Sequence, residues 1–274
     1  MHPSFLVSVL LLCASVPLRP CAAQASSPTP IPSRDERFGI RSAVLGEDRE
    51  ILVHLPPGAG PGERFDVVYV LDGTTLLPLA AGIGDYRLAM QRPPRVVFVG
   101  ITNRSNVTRG RDLTSVPDST KRWAPETGGA DRFIRFLATE VIPAVEARYH
   151  VTRHRTLVGH SLSALFVLHT LGARPDLFER YIAVSPAIPW AREEIVAYLG
   201  ARVPALTTPV GLYVSVANEQ DGFPEGIDHL EALLRRSAPA SLHWKVERWP
   251  QYDHIGVVPA AMHAGWLYFY PTGP

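Results

Sequence analysis

Short runs of β-branched and other apolar residues alternate with helical segments along most of this chain. The strand-like runs lie at residues 50–57, 66–73, 95–102, 156–159, 180–186, 210–218 and 242–250. Several of them are apolar at nearly every position, as strands buried on both faces are. Alternation of this kind predicts an α/β fold with a mostly parallel central sheet and helices on both faces.

Four segments between these runs have the pattern of helices. Residues 129–149 repeat apolar side chains at helical spacing, and residues 162–172 are apolar nearly all round, which suits a buried helix. The segments 226–237 and 257–270 complete the set. No internal repeat or second linker interrupts them, so we predict one domain from residue 35 to residue 274.

The first 23 residues differ from the rest and resemble a secretory signal peptide. A 12-residue apolar run at 5–16 is too short to span a bilayer, and small residues after it suit cleavage behind Ala23. Residues 24–34 are rich in Pro and Ser and are predicted to be a flexible leader. We therefore expect a secreted or periplasmic protein with no stable membrane insertion after cleavage. The alternative is an uncleaved membrane anchor, because residues 1–4 contain no Lys or Arg.

Composition excludes several other classes of function. Both cysteines, Cys13 and Cys21, lie in the predicted signal peptide, so the mature chain would have no disulfide and no cysteine nucleophile. The formal net charge is +1 and no basic cluster interleaves with aromatic residues, so we expect no nucleic-acid partner. The sequence has no zinc-protease, Walker or dinucleotide-binding motif, so we expect no cofactor and no metal. The oligomeric state stays open.

The stretch from Gly159 to Ser163 nearly spells the nucleophile elbow G-x-S-x-G. In such an elbow a sharp turn between strand and helix exposes the central serine, which here is Ser161. The N–H of the next residue, here Leu162, forms one half of an oxyanion hole. Ser163 stands where the second glycine is usual. The alternative interpretation is an ordinary turn in which Ser161 caps the helix.

An acid and a histidine follow in the order that a serine triad on this fold requires. Glu219 and Asp221 come just after a predicted strand, where catalytic groups gather in open α/β sheets. His254 lies on a loop before the last helix and could act as general base and then as general acid. The simpler alternatives are a solvated loop carboxylate at Glu219 and a His254 paired with Asp253.

The segment at 155–190 resembles the core of the "Putative esterase" family of α/β-hydrolases, which includes siderophore esterases, feruloyl esterases and esterase D-like enzymes. The stretches 67–73, 108–118, 128–149 and 252–269 fit the same pattern, so the resemblance covers about residues 36–270. It implies the α/β-hydrolase fold and a serine hydrolase that acts on carboxylic ester bonds.

The resemblance also implies roles for single residues. Ser161 matches the family's nucleophile, His254 matches its base, and Glu219 matches its acid. For the acid two alternatives stay open: Asp221 takes its place, or the site works as a Ser–His pair without a well-placed acid. Gly73, or its neighbour Thr74, matches the second oxyanion donor beside Leu162.

Three residues are candidates for contact with the substrate. His160 precedes the nucleophile and is predicted to line the pocket, with simple packing as the alternative. Arg111, together with Arg109 and Asp112, matches a recurring loop motif that we interpret first as ion pairs and second as substrate contacts. Trp123 is predicted to form a pocket wall or a surface anchor. Ser163 departs from the family pattern, and we expect it to tighten the elbow slightly or shift the helix a little.

The leading hypothesis is a serine carboxylesterase that hydrolyses a small-molecule ester, siderophore-type or aryl, through an acyl-enzyme. One alternative keeps the site and transfers the acyl group to an alcohol. The other is a catalytically inactive binding protein on the same fold. The triad itself does not select the ester.

Overall fold

The computed structural model of the chain describes residues 35–58, 62–118, 123 and 125–271. The predicted signal peptide (1–23) and leader (24–34) lie outside the described residues and stay predictions. None of the helices in the described ranges combines the length and the hydropathy that crossing a bilayer needs.

A single sheet of eight strands runs through the described residues. The strands are β1 (Asp35–Ser42), β2 (Glu47–His54), β3 (Phe65–Leu71), β4 (Val96–Ile101), β5 (Val151–His160), β6 (Arg180–Val184), β7 (Val210–Ala217) and β8 (Leu242–Trp249). Their spatial order is β1-β2-β4-β3-β5-β6-β7-β8. The strand β2 is antiparallel to both of its neighbours, and every other pair is parallel. This is the α/β-hydrolase arrangement, so the predicted fold is confirmed.

The connections between the strands carry the helices. These are α1 (Gly73–Ala89), α2 (Asn106–Leu113), α3 (Ala130–Phe136), α4 (Ile142–Arg148), α5 (Leu162–Ala173), α6 (Glu194–Gly200), α7 (Phe223–Ser237) and α8 (Val257–Phe269). A π-helical turn joins α3 to α4, and two short 3₁₀ turns flank α6.

Each face of the sheet is covered by its own apolar core. Along β3, Tyr69 and Leu71 point into one core with α3 to α7, while Val68 and Val70 point into the other with α1 and α8. Successive side chains of a strand point to opposite faces, so a strand that feeds two cores must be apolar at every position. This explains the unbroken β-branched runs in the sequence.

The sheet places its functional loops at one edge. The strand β5 lies near the centre and its carboxyl end leads directly into the turn at Ser161, while the loops after β7 and β8 carry Glu219 and His254. The carboxyl ends of parallel strands meet at one edge of the sheet, so residues far apart in sequence come together there.

Candidate active site

Ser161 occupies a strained backbone conformation between β5 and α5. Its φ of 59° and ψ of −119° lie in a region that residues with a Cβ seldom adopt, at a cost of about 1–3 kcal/mol. Neighbouring backbone groups hold the turn: Ser161 N–H donates to Val184 O at 3.0 Å, and Ala187 N–H donates to Ser161 O at 3.1 Å. A strained serine at a strand-to-helix turn is the local geometry of a nucleophile elbow.

The Ser161 side chain does not cap the helix that it precedes. Among the described residues, no hydrogen bond from the first turn of α5 reaches the Ser161 hydroxyl. The capping interpretation of this serine is therefore wrong.

Gly159 and Ser163 bring strand and helix into close contact on either side of Ser161. A Cβ at Gly159 would lie 2.5 Å from both the carbonyl carbon and the carbonyl oxygen of Ser163, so only glycine fits there without a backbone shift. Ser163 itself is fully buried. Its Oγ accepts from His160 N–H at 2.9 Å and donates to His160 O at 2.8 Å, so the hydroxyl is bonded within the turn.

His254 is hydrogen-bonded to Glu219 through Nδ1 and Oε1. The Glu219 side chain is only 3% exposed, and its Oε2 also accepts from Ala217 N–H at 3.3 Å. An ionised carboxylate can only accept, so it holds the imidazole proton on Nδ1. That tautomer leaves the lone pair on Nε2, for which the described residues supply no partner.

The two alternative carboxylates, Asp221 and Asp253, have surroundings different from those of Glu219. Asp221 is exposed in the turn before α7, where its φ is 57°. Asp253 Oδ1 accepts from the N–H groups of Ile255 at 3.2 Å and Gly256 at 2.6 Å, so it orders the start of α8. Pairing of His254 with Asp253 was the simpler alternative, and Glu219 occupies that position instead.

His160 connects the elbow to the loop that carries His254. Its Nε2 donates to the main-chain oxygen of His254 at 2.8 Å, and the two imidazole rings lie 4.5 Å apart between centroids. Phe223 packs edge-on against His254 at 5.1 Å. Burial, followed by the electrostatic influence of the adjacent His254 side chain, lowers the pKa of His160 to about 4. His160 is therefore neutral at pH 7 and carries its one proton on Nε2.

Ser161 and His254 are not joined directly. The described residues include no hydrogen bond between the Ser161 hydroxyl and His254. His160 links the two, because it precedes Ser161 in the chain and its ring packs against that of His254 at an angle of 41°. Such bonds are often long before substrate binds and tighten in the complex.

A polar cavity of about 570 Å³ opens beside His160. Its wall is formed by Asp72, Thr74, Thr75, Leu76, Asn103, Ser105, Asn106, Arg109 and His160. Asp72 accepts from Arg109 Nε at 2.8 Å and Nη2 at 2.9 Å, and also from the amide of Asn103. The cavity wall thus presents hydrogen-bonding groups held in fixed directions.

The predicted oxyanion donors lie at the N-termini of two helices. Leu162 begins α5 and Gly73 begins α1, and the first N–H groups of a helix have no acceptor within it. Gly73 is pressed against β4, since a Cβ there would lie 2.6 Å from the Gly100 carbonyl carbon. Its neighbour Thr74 is exposed and lines the cavity.

The sequence model of the family described as "Putative esterase" matches residues 42–263. The chain belongs to this family. The esterase-family chain is 31% identical over 235 residues to the siderophore triacetylfusarinine C esterase of Aspergillus fumigatus. This alignment covers 77% of this chain and 78% of that protein. The chain is 34% identical over 157 residues to the ferri-bacillibactin esterase BesA of Bacillus subtilis, but spans only about half of its length, with 51% of this chain and 54% of that protein aligned.

Solved structures share the fold of this esterase-family chain. An IroE-like serine hydrolase from Shewanella oneidensis has a TM-score of 0.81 at 25% identity, with 86% of this chain and 80% of that chain covered. Siderophore hydrolase EstB from Aspergillus nidulans has a TM-score of 0.75 at 25% identity, with coverage of 90% and 97%.

Two predicted substrate residues of this esterase-family chain lie away from the cavity wall. Arg111 donates to Glu47 at 2.7 Å and to Asp112 at 2.7 Å, in an ion cluster that includes the buried Arg49. The surrounding carboxylates raise the pKa of Arg111, although burial opposes this. The contacts of Arg111 are therefore the ion pairs of the first interpretation. A contact between Arg111 and the substrate stays a prediction.

Trp123 is half-exposed and packs edge-on against Trp190 at 6.2 Å. Its role as a pocket wall stays a prediction. The sequence pattern did not predict six residues of the cavity wall, which are Asp72, Thr75, Leu76, Asn103, Ser105 and Asn106. Arg109 was a substrate contact in the second interpretation of the loop motif, and of its two arginines Arg109 is the one that lines the cavity.

Proposed function

We propose that this esterase-family chain is a serine carboxylesterase with Ser161 as nucleophile, His254 as base and Glu219 as the acid that orients it. One observation carries the proposal: the bond from Nδ1 of His254 to Glu219 leaves Nε2 as the proton acceptor, on a ring packed against His160, the residue before Ser161. A serine becomes nucleophilic only when such a base takes its proton.

The reaction follows from these positions. Ser161 Oγ bonds to the ester carbonyl carbon as its proton passes to His254 Nε2, and the negative oxygen is stabilised by Leu162 N–H with that of Gly73 or Thr74. His254 then protonates the leaving alcohol, and an acyl-enzyme remains. Water, deprotonated by His254, attacks the acyl carbon and restores the Ser161 hydroxyl with release of the acid.

The cavity favours a polar ester over a lipid. Charged and amide groups such as Asp72, Asn103 and Arg109 line it, and among the described residues of its wall Leu76 is the one large aliphatic side chain. One relative is named a siderophore esterase and another a ferri-bacillibactin esterase. We therefore propose a siderophore-type ester as the substrate class. We also propose that the protein is exported, because residues 1–23 resemble a secretory signal peptide.

A substrate panel with matched variants tests the function. We expect the wild type to hydrolyse siderophore esters faster than feruloyl or short-chain p-nitrophenyl esters. Ser161→Ala should lower kcat by about 10⁴-fold or more with an unchanged circular-dichroism spectrum. Full activity in that variant would overturn the assignment of the nucleophile.

A second measurement separates the alternatives. A fluorophosphonate probe should label the wild type at Ser161, and absence of labelling would favour an inactive binding protein. Product analysis with an added alcohol should give free acid as the main product, whereas a new ester would indicate acyl transfer.

A further inference from the structure

The residue that departs from the elbow pattern makes two ordered hydrogen bonds. Ser163 Oγ is bonded to both the N–H and the C=O of His160, at 2.9 Å and 2.8 Å, and the residue is fully buried. A glycine at this position would have no atom to make either bond. The hydroxyl therefore fixes the main chain of His160.

His160 passes this constraint to the loop of the base. Its Nε2–H bonds to the His254 carbonyl at 2.8 Å, and because a carbonyl only accepts, this bond exists in a single tautomer of the neutral ring. The imidazole is packed against the His254 ring as well. The main chain of His254 is thereby tied to the turn that carries Ser161.

We propose that Ser163 and His160 act as a positioning relay that sets the distance between the base, His254, and the nucleophile, Ser161. The inference rests on the proposed function, because it assigns these two residues a task in that reaction. Glu219 fixes the ring of His254 through Nδ1, whereas the relay fixes its main chain. Neither Ser163 nor His160 makes or breaks a bond.

Three variants separate the parts of the relay. Ser163→Ala removes the hydroxyl, His160→Phe keeps a ring against His254 but removes the donor, and His160→Gln restores an N–H near the position of Nε2. Thr170→Ala is the matched control, because it removes another buried hydroxyl of the same helix, one bonded to Phe166 O at 2.8 Å.

We expect Ser163→Ala and His160→Phe to lower kcat by about 10- to 100-fold, the usual effect of a small misplacement of reacting groups. KM should stay within about twofold in Ser163→Ala, because Ser163 is buried and lies outside the cavity wall, whereas His160→Phe also changes a residue of that wall and is judged by kcat and hydrogen exchange. His160→Gln should recover most of the kcat lost in His160→Phe, and Thr170→Ala should keep kcat. Unchanged kcat in Ser163→Ala and His160→Phe, or an equal loss in Thr170→Ala, would overturn the relay.

Hydrogen exchange tests the relay without reference to activity. Amides of residues 252–256 should exchange faster in Ser163→Ala and His160→Phe than in the wild type, and at the wild-type rate in Thr170→Ala. Unchanged exchange in the first two variants contradicts the relay. A wild type that neither hydrolyses esters nor reacts with fluorophosphonate, yet shows these exchange differences, contradicts the proposed function and leaves the coupling in place.

Discussion

Glu219 reaches His254 across 35 residues of chain and binds its Nδ1 atom, while the nearby Asp221 is exposed to solvent. We expect Glu219→Gln to lower kcat by about 10³- to 10⁴-fold, because an amide N–H can donate to Nδ1 and move the imidazole proton onto Nε2. Asp221→Asn serves as the control and should keep kcat. Steady-state kinetics decide between them, and a larger loss in Asp221→Asn would reverse the assignment of the acid.

The close contact at Gly159 predicts a loss of stability on the smallest substitution. Gly159→Ala places a Cβ 2.5 Å from two backbone atoms of Ser163, so we expect the free energy of unfolding to fall by about 1–3 kcal/mol. Gly82→Ala in α1 meets no atom within 4 Å and should raise it by up to about 1 kcal/mol, since alanine favours helix. Urea unfolding measures both, and equal effects would show that the contact at Gly159 is relaxed in solution.

Burial of neutral His160 predicts that stability depends on pH. Its folded pKa of about 4 lies below the ordinary value of 6.5, so between these values the unfolded chain binds more protons. The contribution of neutral His160 to the free energy of unfolding is fully present above pH 6.5. It is lost as the pH falls through 4, and the loss amounts to up to about 3 kcal/mol. The wild type should therefore lose more stability than His160→Gln between pH 7 and pH 4. The variant His243→Gln, which keeps His160, should follow the wild type, and parallel curves for wild type and His160→Gln would contradict the prediction.

The two arginines of the loop motif should respond differently to substitution. Arg111→Ala removes bonds to Glu47 and Asp112 and should lower the free energy of unfolding by about 2 kcal/mol without changing KM. Arg109→Ala alters the cavity wall beside Asp72 and should lower kcat/KM by about tenfold, the equivalent of one charge-assisted hydrogen bond. Thermal unfolding and kinetics on both variants test this. A raised KM in Arg111→Ala would instead support its predicted contact with the substrate.

The strands that the sequence predicts best are those buried on both faces. In β3 and β7 nearly every position is apolar, so the pattern needs no tertiary information. The strand β1 escaped prediction because it is an exposed edge with mostly polar residues. The helix α1 escaped because Pro78, Gly82 and Gly84 lie within it, and its packing against β2, β3, β4 and α8 compensates for their low helix propensity.

The candidate site also has some features that the sequence predicts and others that it does not. The order of Ser161, Glu219 and His254 along the chain predicts that they lie at one edge of the sheet. The described residues include the bond between Glu219 and His254 but none between the Ser161 hydroxyl and His254. The bonds of Ser163 to the main chain of His160 could not be predicted, since they depend on the dihedral angles of one turn. Whether Arg109 or Arg111 faces the cavity likewise depends on how the helix α2, which carries both, packs on the rest of the fold.

The elbow between Gly159 and Ser163 also has a consequence for protein engineering. Its two small residues are not equivalent: the first is small because a backbone lies against it, whereas the second contributes a hydroxyl that serves two main-chain groups. A graft of this turn onto another α/β scaffold should therefore transfer all five residues as one block. Replacing Ser163 by glycine to restore the familiar motif would remove a support that the transplanted turn carries with it.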